Sequence, residues 1–461
     1  MDLLGAHFNL GTDSGLRHYF IDSDVTNGQT YYYAVVSYDQ GLIDTSGTGD
    51  IVGIQPSECT SKIEQDIAGN ITLDINTAVV TPGLPAAGYE GAKLNGDIQR
   101  ETIGTGNINI DFILPDSVKD NHEYAVEFGD TTFFNDHGNP FFMIYDITGG
   151  SHLQKTDTIW INEVAQSPIV DGFIVTVEND ETEIDFDNTG WVTGNTNYRM
   201  RVNLHSKFSK YNINYPADYE VHFSDTIVDT AENVLGYPPV LPCKFRIMDI
   251  TKNVNAHFQF VEYYEKDSTF SPYFDYQNPD STEWALIWVD DPDPANALGI
   301  KTSWRFYFEA DPYVTEHVPP QNGDIFKLVT KKPFRDTDKI SFNVSGKKFN
   351  KEKAKTDLDN IAVVPNPYVA TALWEPKTTF RSGRGERRIY FINLPPQCTI
   401  RIYTIRGYLV DTIEHDTNID VGQESWNLLS KDGQAIAYGV YIYHVEAPGI
   451  GEQMGKFAII K

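Results

Sequence analysis

What most constrains the fold of this chain is its cadence. Short runs in which aromatic and β-branched side chains alternate with polar ones are closed, one after another, by Gly, Pro, Asn or Asp. Between 197 and 346 the runs NYRMRVNL, DYEVHFSD, CKFRIMDIT, HFQFVEYYE, EWALIWVDD, TSWRFYFEA, DIFKLVTKKPF and KISFNVSG follow in order. Alternation with a period of two places one set of side chains on one face of a pleated strand and the rest on the other. No stretch sustains apolar residues at i, i+3, i+4 and i+7, the spacing an amphipathic helix needs. With 26 Tyr, 26 Phe and 35 Gly, the chain is expected to be all-β. Its 461 residues exceed what one core supports, so tandem β-sandwiches joined by short linkers are the expected architecture.

The first block, HYFIDSDVTNGQTYYYAVVSYDQG, reads as a strand, an Asn27-Gly28 turn and an aromatic strand Tyr31–Tyr38. Residues 16–57 resemble the later strands of a fibronectin type III module. A whole module of that kind needs about seven strands, so 1–57 is expected to be partial. Its Tyr-rich strand, within 18–40, is expected to be bare or covered by another copy of the chain or a neighbouring surface protein. Residues 58–96 are expected to be a linker, with NTAVVTPGLPAAGYEGAKLNG extended through Gly, Pro and Ala. Residues 97–346 hold enough strands for one large sandwich or two small ones. YEVHFSD at 219–225 echoes YAVEFGD at 124–130, and MDITKN at 248–253 echoes YDITGG at 145–150; a repeated β-unit or common strand grammar would both produce this. Residues 347–362 form a charged connector with room for a helical turn or two, and 363–461 form the last domain.

Charge is unevenly placed. Residues 364–461 hold 10 Lys and Arg against 10 Asp and Glu, so the preceding residues, with 26 against 55, carry the whole net charge of −29. Such a field repels phosphate backbones, which argues against nucleic-acid binding. Three distant cysteines, Cys59, Cys243 and Cys398, make neither a disulfide framework nor a metal knuckle. No apolar run is long enough to span a membrane. The opening MDLLGAHFNL has neither the basic start nor the apolar centre of a signal peptide, so the natural protein is expected to extend further N-terminally.

The final region is the most specific. VVPNPY (363–368), RRIYFINLPPQCTIRIYTIRGYLVDTI (387–413), ESWNLLSKDGQAIAYGVYIYHVEA (424–447) and MGKFAIIK (454–461) stand in order. Ile400 and Ile402 alternate with Arg401 and Tyr403; Arg406-Gly407 and Asp432-Gly433 are turns; Pro365 and Pro367 require an edge position. With these landmarks, residues 364–461 resemble the C-terminal sorting domain of type IX secretion cargo, which is related to the immunoglobulin-like domain of the flagellar hook-capping protein. The resemblance implies an extracellular or outer-surface location and recognition by the type IX translocon, often followed by removal by a sortase-like enzyme. Arg381, Arg384, Arg387, Arg388, Gly407, Gly439 and Lys456 are the expected sorting or anchoring residues.

Catalytic machinery is not visible. There is no nucleophile elbow, P-loop or HExxH, and the His122-Glu123 pair lacks its second histidine. The chain is therefore expected not to be an enzyme. Asp185 and Asp187 in DFDNTG resemble the start of a calcium loop whose twelfth position, Thr196, is not the required Glu. Asp290, Asp291 and Asp293 in VDDPDPAN could also chelate Ca²⁺. Trp284, Trp288 and Trp304 are either core residues or, if exposed on one face, a platform for sugar rings. The two functional readings are a surface structural or adhesive protein and a carbohydrate-binding accessory region of a secreted hydrolase.

Overall fold

The computed structural model describes residues 20–27, 31–39, 42–44, 52–54, 57–65, 71–130, 140–155, 164–204, 211–233, 236, 238–262, 267–271, 283–291, 296–309, 316, 318–369 and 387–460. The chain is all-β, with one short helix among the described residues, and it divides into two compact units. One unit is formed by Met1–Ala92 with Lys347–Lys461, the other by Lys93–Gly346.

The Lys93–Gly346 unit contains two β-sandwiches, as the abundance of strands allowed. In the first, Lys339–Ser345 pairs along one edge with Lys93–Leu94 and Gln99–Glu101, and along the other with His122–Asp130. Pro140–Asp146 and Ser151–Lys155 extend the sheet. Against it lies a three-stranded sheet of Asn107–Phe112, Phe173–Glu178 and Val164–Gln166. The sheets meet through buried rings, with Tyr124 edge-on to Phe173 at 4.8 Å and Phe128 stacked on Phe334 at 4.1 Å.

The second sandwich pairs a five-stranded sheet (Gly190–Thr193, Ile325–Leu328, Tyr219–Phe223, Phe245–Asp249, Val254–Asn255) with a four-stranded one (Arg199–Leu204, Ile300–Glu309, Trp284–Asp290, Phe258–Val261). Its core is a cluster of phenylalanines including Phe223, Phe245, Phe260, Phe270, Phe306 and Phe308. This sandwich lies wholly between Glu178 and Lys339, so it is nested inside the first, whose strand Lys339–Ser345 comes afterwards.

The sequence echoes fall on equivalent positions. Tyr124, Val126 and Phe128 are buried in one sandwich as Tyr219, Val221 and Phe223 are in the other, and each strand is the central one of its sheet's five-strand order. The next strands end at Asp146 and Asp249, both buried, whose carboxylates accept from the amides of Gly149 and Lys252. The hydroxyls of Thr148 and Thr251 accept from Glu123 and Asp218, and the amides of Ile147 and Ile250 bond to those same two residues' carbonyls. Three matched hydrogen bonds make the corner a repeated structural unit.

In the other unit, the described N-terminal strands form two-stranded ladders: Tyr31–Ala34 with Thr77–Val80, Tyr38–Asp39 with Ser57–Glu58, Leu42–Asp44 with Val52–Ile54, and Ile63–Gln65 with Ile71–Leu73. The strand expected over Tyr31–Tyr38 is interrupted after Ala34. There Asn76 takes over both polar groups of Val35, accepting from its amide and donating its side-chain amide to its carbonyl. Segment 58–96, expected as a linker, instead carries strands, and Leu84–Glu90 packs on the C-terminal sandwich.

That sandwich has a three-stranded sheet (Ala362–Val364, Ile389–Ile392, Gln423–Trp426) and a five-stranded one (Tyr368–Val369, Gly451–Ile460, Gly439–Ala447, Gln397–Thr404, Leu409–Asp416). The strands flanking Pro365 and Pro367 are edges, as a missing N–H dictates. Gly451–Ile460 lies between two neighbours. The charged connector supplies the helix Lys351–Asp357, capped by Asn350, whose side chain accepts from the amides of Glu352 and Lys353.

Candidate functional site

The C-terminal sandwich is the most fully specified part of the chain. Ile400 and Ile402 are fully buried, while Arg401 and Tyr403 point outward. Inside, Phe391 packs edge-on to Tyr443 and Phe457, and the Tyr443 hydroxyl donates to the Ile361 carbonyl at 2.8 Å. The Trp426 indole donates to Asp411 at 2.8 Å, so this polar group of the core is bonded. Gly407, at φ +82, makes the reverse turn in which its amide reaches the Thr404 carbonyl at 2.9 Å. Gly439, at φ +156, opens the strand opposite Ile459, and Lys456 is exposed opposite Ile442. Arg387 and Arg388 are half-buried just before Ile389–Ile392. Arg381 and Arg384 lie outside the described residues.

The Gly407 turn and Gly439 lie at one end of the five-stranded sheet, whereas Arg387 and Arg388 lead into the three-stranded one, and sequence reasoning missed the character of that end. Ile405 and Tyr408 are each 69% exposed on the Gly407 turn, and Tyr438, Val440 and Ile460 are exposed nearby in register. The signal was present in GVYIY, where apolar residues occupy both faces rather than one. Farther along the same face the surface turns polar: Arg401 pairs with Glu446 at 2.6 Å and holds its carboxyl below the usual range.

The acidic clusters do not converge. Among the described residues no three His, Cys, Asp or Glu side chains form a metal-binding group. The Asp185 carboxylate accepts from the amides of Asp187 and Asn188 and from the Asn188 side chain, which is how an Asp caps a turn. Asp290 is exposed at a strand end. Asp291 is buried beside Asn296, which donates to it at 2.7 Å, with Lys301 3.6 Å away. Asp293 lies outside the described residues.

Trp284, Trp288 and Trp304 are 8%, 9% and 3% exposed, so they offer no open platform for sugar rings. A cleft of about 300 Å³ opens between Gly190–Thr193 and Arg199–Leu204, lined by Phe186, Trp191, Tyr198 and Arg201 among others. Its polar groups are already engaged: the Trp191 indole donates to the Tyr198 carbonyl at 2.9 Å, and Arg201 pairs with Glu309 at 2.7 Å.

At the N-terminal end, the Tyr-rich ladder is bare. None of the described residues from Phe20 to Pro85 with an assigned exposure is buried; Phe20 is 83% and Val35 80% exposed. Sequence reasoning expected this face to be bare or covered by another chain; within this single chain Tyr32 is exposed, while Tyr31 and Tyr33 are half-buried. No helix among the described residues is long and apolar enough to cross a membrane.

No family model matches the chain, and no curated protein matches it at a significant level. Among solved structures, it is similar to PorZ, described as an essential bacterial surface component of the type IX secretion system of Porphyromonas gingivalis. That likeness has a TM-score of 0.18 at 14% identity, covering 71% of this chain and 44% of PorZ. Dimeric latent PorU from the same organism follows at TM-score 0.16 and 12% identity, covering 74% of this chain and 30% of its own. A polysaccharide lyase follows at 0.13 and 11%, covering 75% and 47%. The chain thus spans less than half the length of each. With TM-scores this low, the function has to be argued from the chain's own residues.

Proposed function

We propose that this chain is part of a non-catalytic extracellular or cell-surface protein of structural or adhesive role, exported by a type IX translocon that recognises residues 364–461. The observation that carries this reading is the C-terminal sandwich. The landmarks that resemble a sorting domain occupy coherent structural positions there, with both turn glycines at positive φ. The terminal strand is locked between Tyr368–Val369 and Gly439–Ala447 rather than trailing free. Its exposed apolar end, around Ile405, Tyr408 and Val440, supplies the kind of surface a recognition partner covers. Upstream, the strands supply cores; Asp185 is taken up in a turn, Asp291 in contacts with Asn296 and Lys301, and Trp284, Trp288 and Trp304 in packing.

The test is export. Residues 364–461, fused behind a signal peptide and a reporter in a type IX-competent bacterium, should carry the reporter to the cell surface. A reporter retained in the periplasm would refute the sorting role.

A further inference from the structure

The segment Leu84–Glu90, which sequence alone presents as part of a connector, is held like a ligand. Ala86 and Ala87 are 3% and 4% exposed, whereas none of the described residues before them with an assigned exposure is buried. Three backbone hydrogen bonds tie the segment to loops of the C-terminal sandwich. The Gly422 amide donates to the Leu84 carbonyl at 2.8 Å, Ala86 to Ile419 at 3.0 Å, and Ala87 to Leu394 at 2.9 Å. On its far side, the Gly88 amide donates to Asp357 at 3.0 Å, Lys353 donates to the Tyr89 carbonyl at 2.7 Å, and Tyr89–Glu90 pairs with Lys348–Phe349.

The groove is shaped for this peptide. A Cβ at Gly422 would lie 2.2 Å from the Pro85 carbonyl oxygen, and one at Gly88 would lie 2.7 Å from Ala354 Cβ. Ala86 and Ala87 are almost fully covered, and the main chain is read directly, the logic by which extended peptides are recognised through their backbone.

We propose that the C-terminal sandwich carries a peptide groove whose occupant is the chain's own Leu84–Glu90, so that the sandwich stays attached when the backbone leading into it is cut. The inference rests on this geometry alone and is independent of the sorting role. Attachment through Leu84, Ala86 and Ala87 bridges any cut between the helix Lys351–Asp357 and Ile361, because their partners in the sandwich, Gly422, Ile419 and Leu394, all lie beyond it.

The experiment uses the full chain with a specific protease site inserted between the exposed Asp359 and Asn360. After cleavage, the two fragments should co-elute in size exclusion and separate only in denaturant. The same insertion carrying Ala87→Arg, shown by an unchanged far-ultraviolet spectrum to be folded before cleavage, should lose its C-terminal fragment. Its release should be at least about tenfold faster, as expected when at least one net backbone hydrogen bond and its packing are removed. Separation of the parent fragments on cleavage would overturn the proposal. So would equal retention in the Ala87→Arg protein, since attachment would then come from Leu358 in the sandwich core and the Lys347–Asp420 ion pair rather than from the groove.

Discussion

Replacing Gly422 by Ala tests the groove at its tightest point. The new Cβ would meet the Pro85 carbonyl oxygen at 2.2 Å, its carbon at 2.6 Å and Ala86 Cα at 2.7 Å. All three are backbone atoms, so no side-chain rotation relieves the contact, and the Leu84–Ala87 segment must retreat. Retreat breaks up to three backbone hydrogen bonds, each contributing about 1 kcal/mol net, so the segment loses about 2–3 kcal/mol of local stability. That corresponds to roughly 30–150-fold faster exchange of the Ala86 and Ala87 amides by native-state hydrogen exchange. Gly190→Ala is the control: nothing lies within 4 Å of its Cβ, and the change is expected to be within about 0.5 kcal/mol. Hydrogen exchange suits this chain better than a single melting curve, because several cores need not unfold together. If Gly422→Ala left the Ala86 and Ala87 amides as protected as in the parent, the steric argument would be wrong.

The matched corners of the two nested sandwiches should respond oppositely to pH. Burial pushes the Asp146 carboxyl up, but the Gly149 amide, Lys119 and His122 outweigh it and hold it below its usual value. Its stabilisation is therefore present above the ordinary carboxylate pKa of about 4 and is lost as pH falls through the lower folded value. Burial dominates at Asp249 and leaves it raised, so ionising it costs stability as pH rises through that higher value. Asp146→Asn should thus destabilise more than Asp249→Asn at pH 7, with the gap closing toward pH 3 in chemical denaturation; a gap independent of pH would refute the assignment. Cys243 and Cys398 are buried, and burial pushes each thiol up to about 12, whereas Cys59 is exposed. Native protein at pH 8 should therefore give one fast-reacting thiol in three with a thiol-specific reagent, and three only after unfolding.

Where a residue's role depends on its immediate neighbours, the sequence made it legible. The alternation of Ile400, Arg401, Ile402 and Tyr403 and the turns at Gly407 and Gly433 are consequences of pleat and φ, and both are found in place. The echo between YAVEF and YEVHF marked a real equivalence, because each corner closes within a short stretch of chain. What depends on distant partners was not legible. Ala86 and Ala87 have no periodicity and look like linker; they are buried only because Leu394, Ile419 and Gly422, far along the chain, shape a groove around them. Likewise, Asp185 and Asp187 resemble a calcium loop by spacing, yet Asp185 is spent on capping its own turn. The apolar end around Tyr408 and Val440 was missed because the alternation rule assigns one face inward and leaves the other unread.

The nesting sets an order in which these contacts can form. Each partner of Ala86 and Ala87 in the C-terminal sandwich follows the entire Lys93–Gly346 unit in sequence, and that unit in turn closes its first sandwich only when Lys339–Ser345 arrives after the second is complete. Closing such long loops costs conformational entropy that local strand pairing does not offset until the last segment is present. The groove can therefore close only after the whole Lys93–Gly346 unit and the chain as far as Gly422 have emerged. A chain truncated before Leu394 leaves Ala86 and Ala87 without their cover, next to an N-terminal ladder that is already open to solvent. Occupation of the groove thus marks a chain that has reached its own C-terminal sandwich.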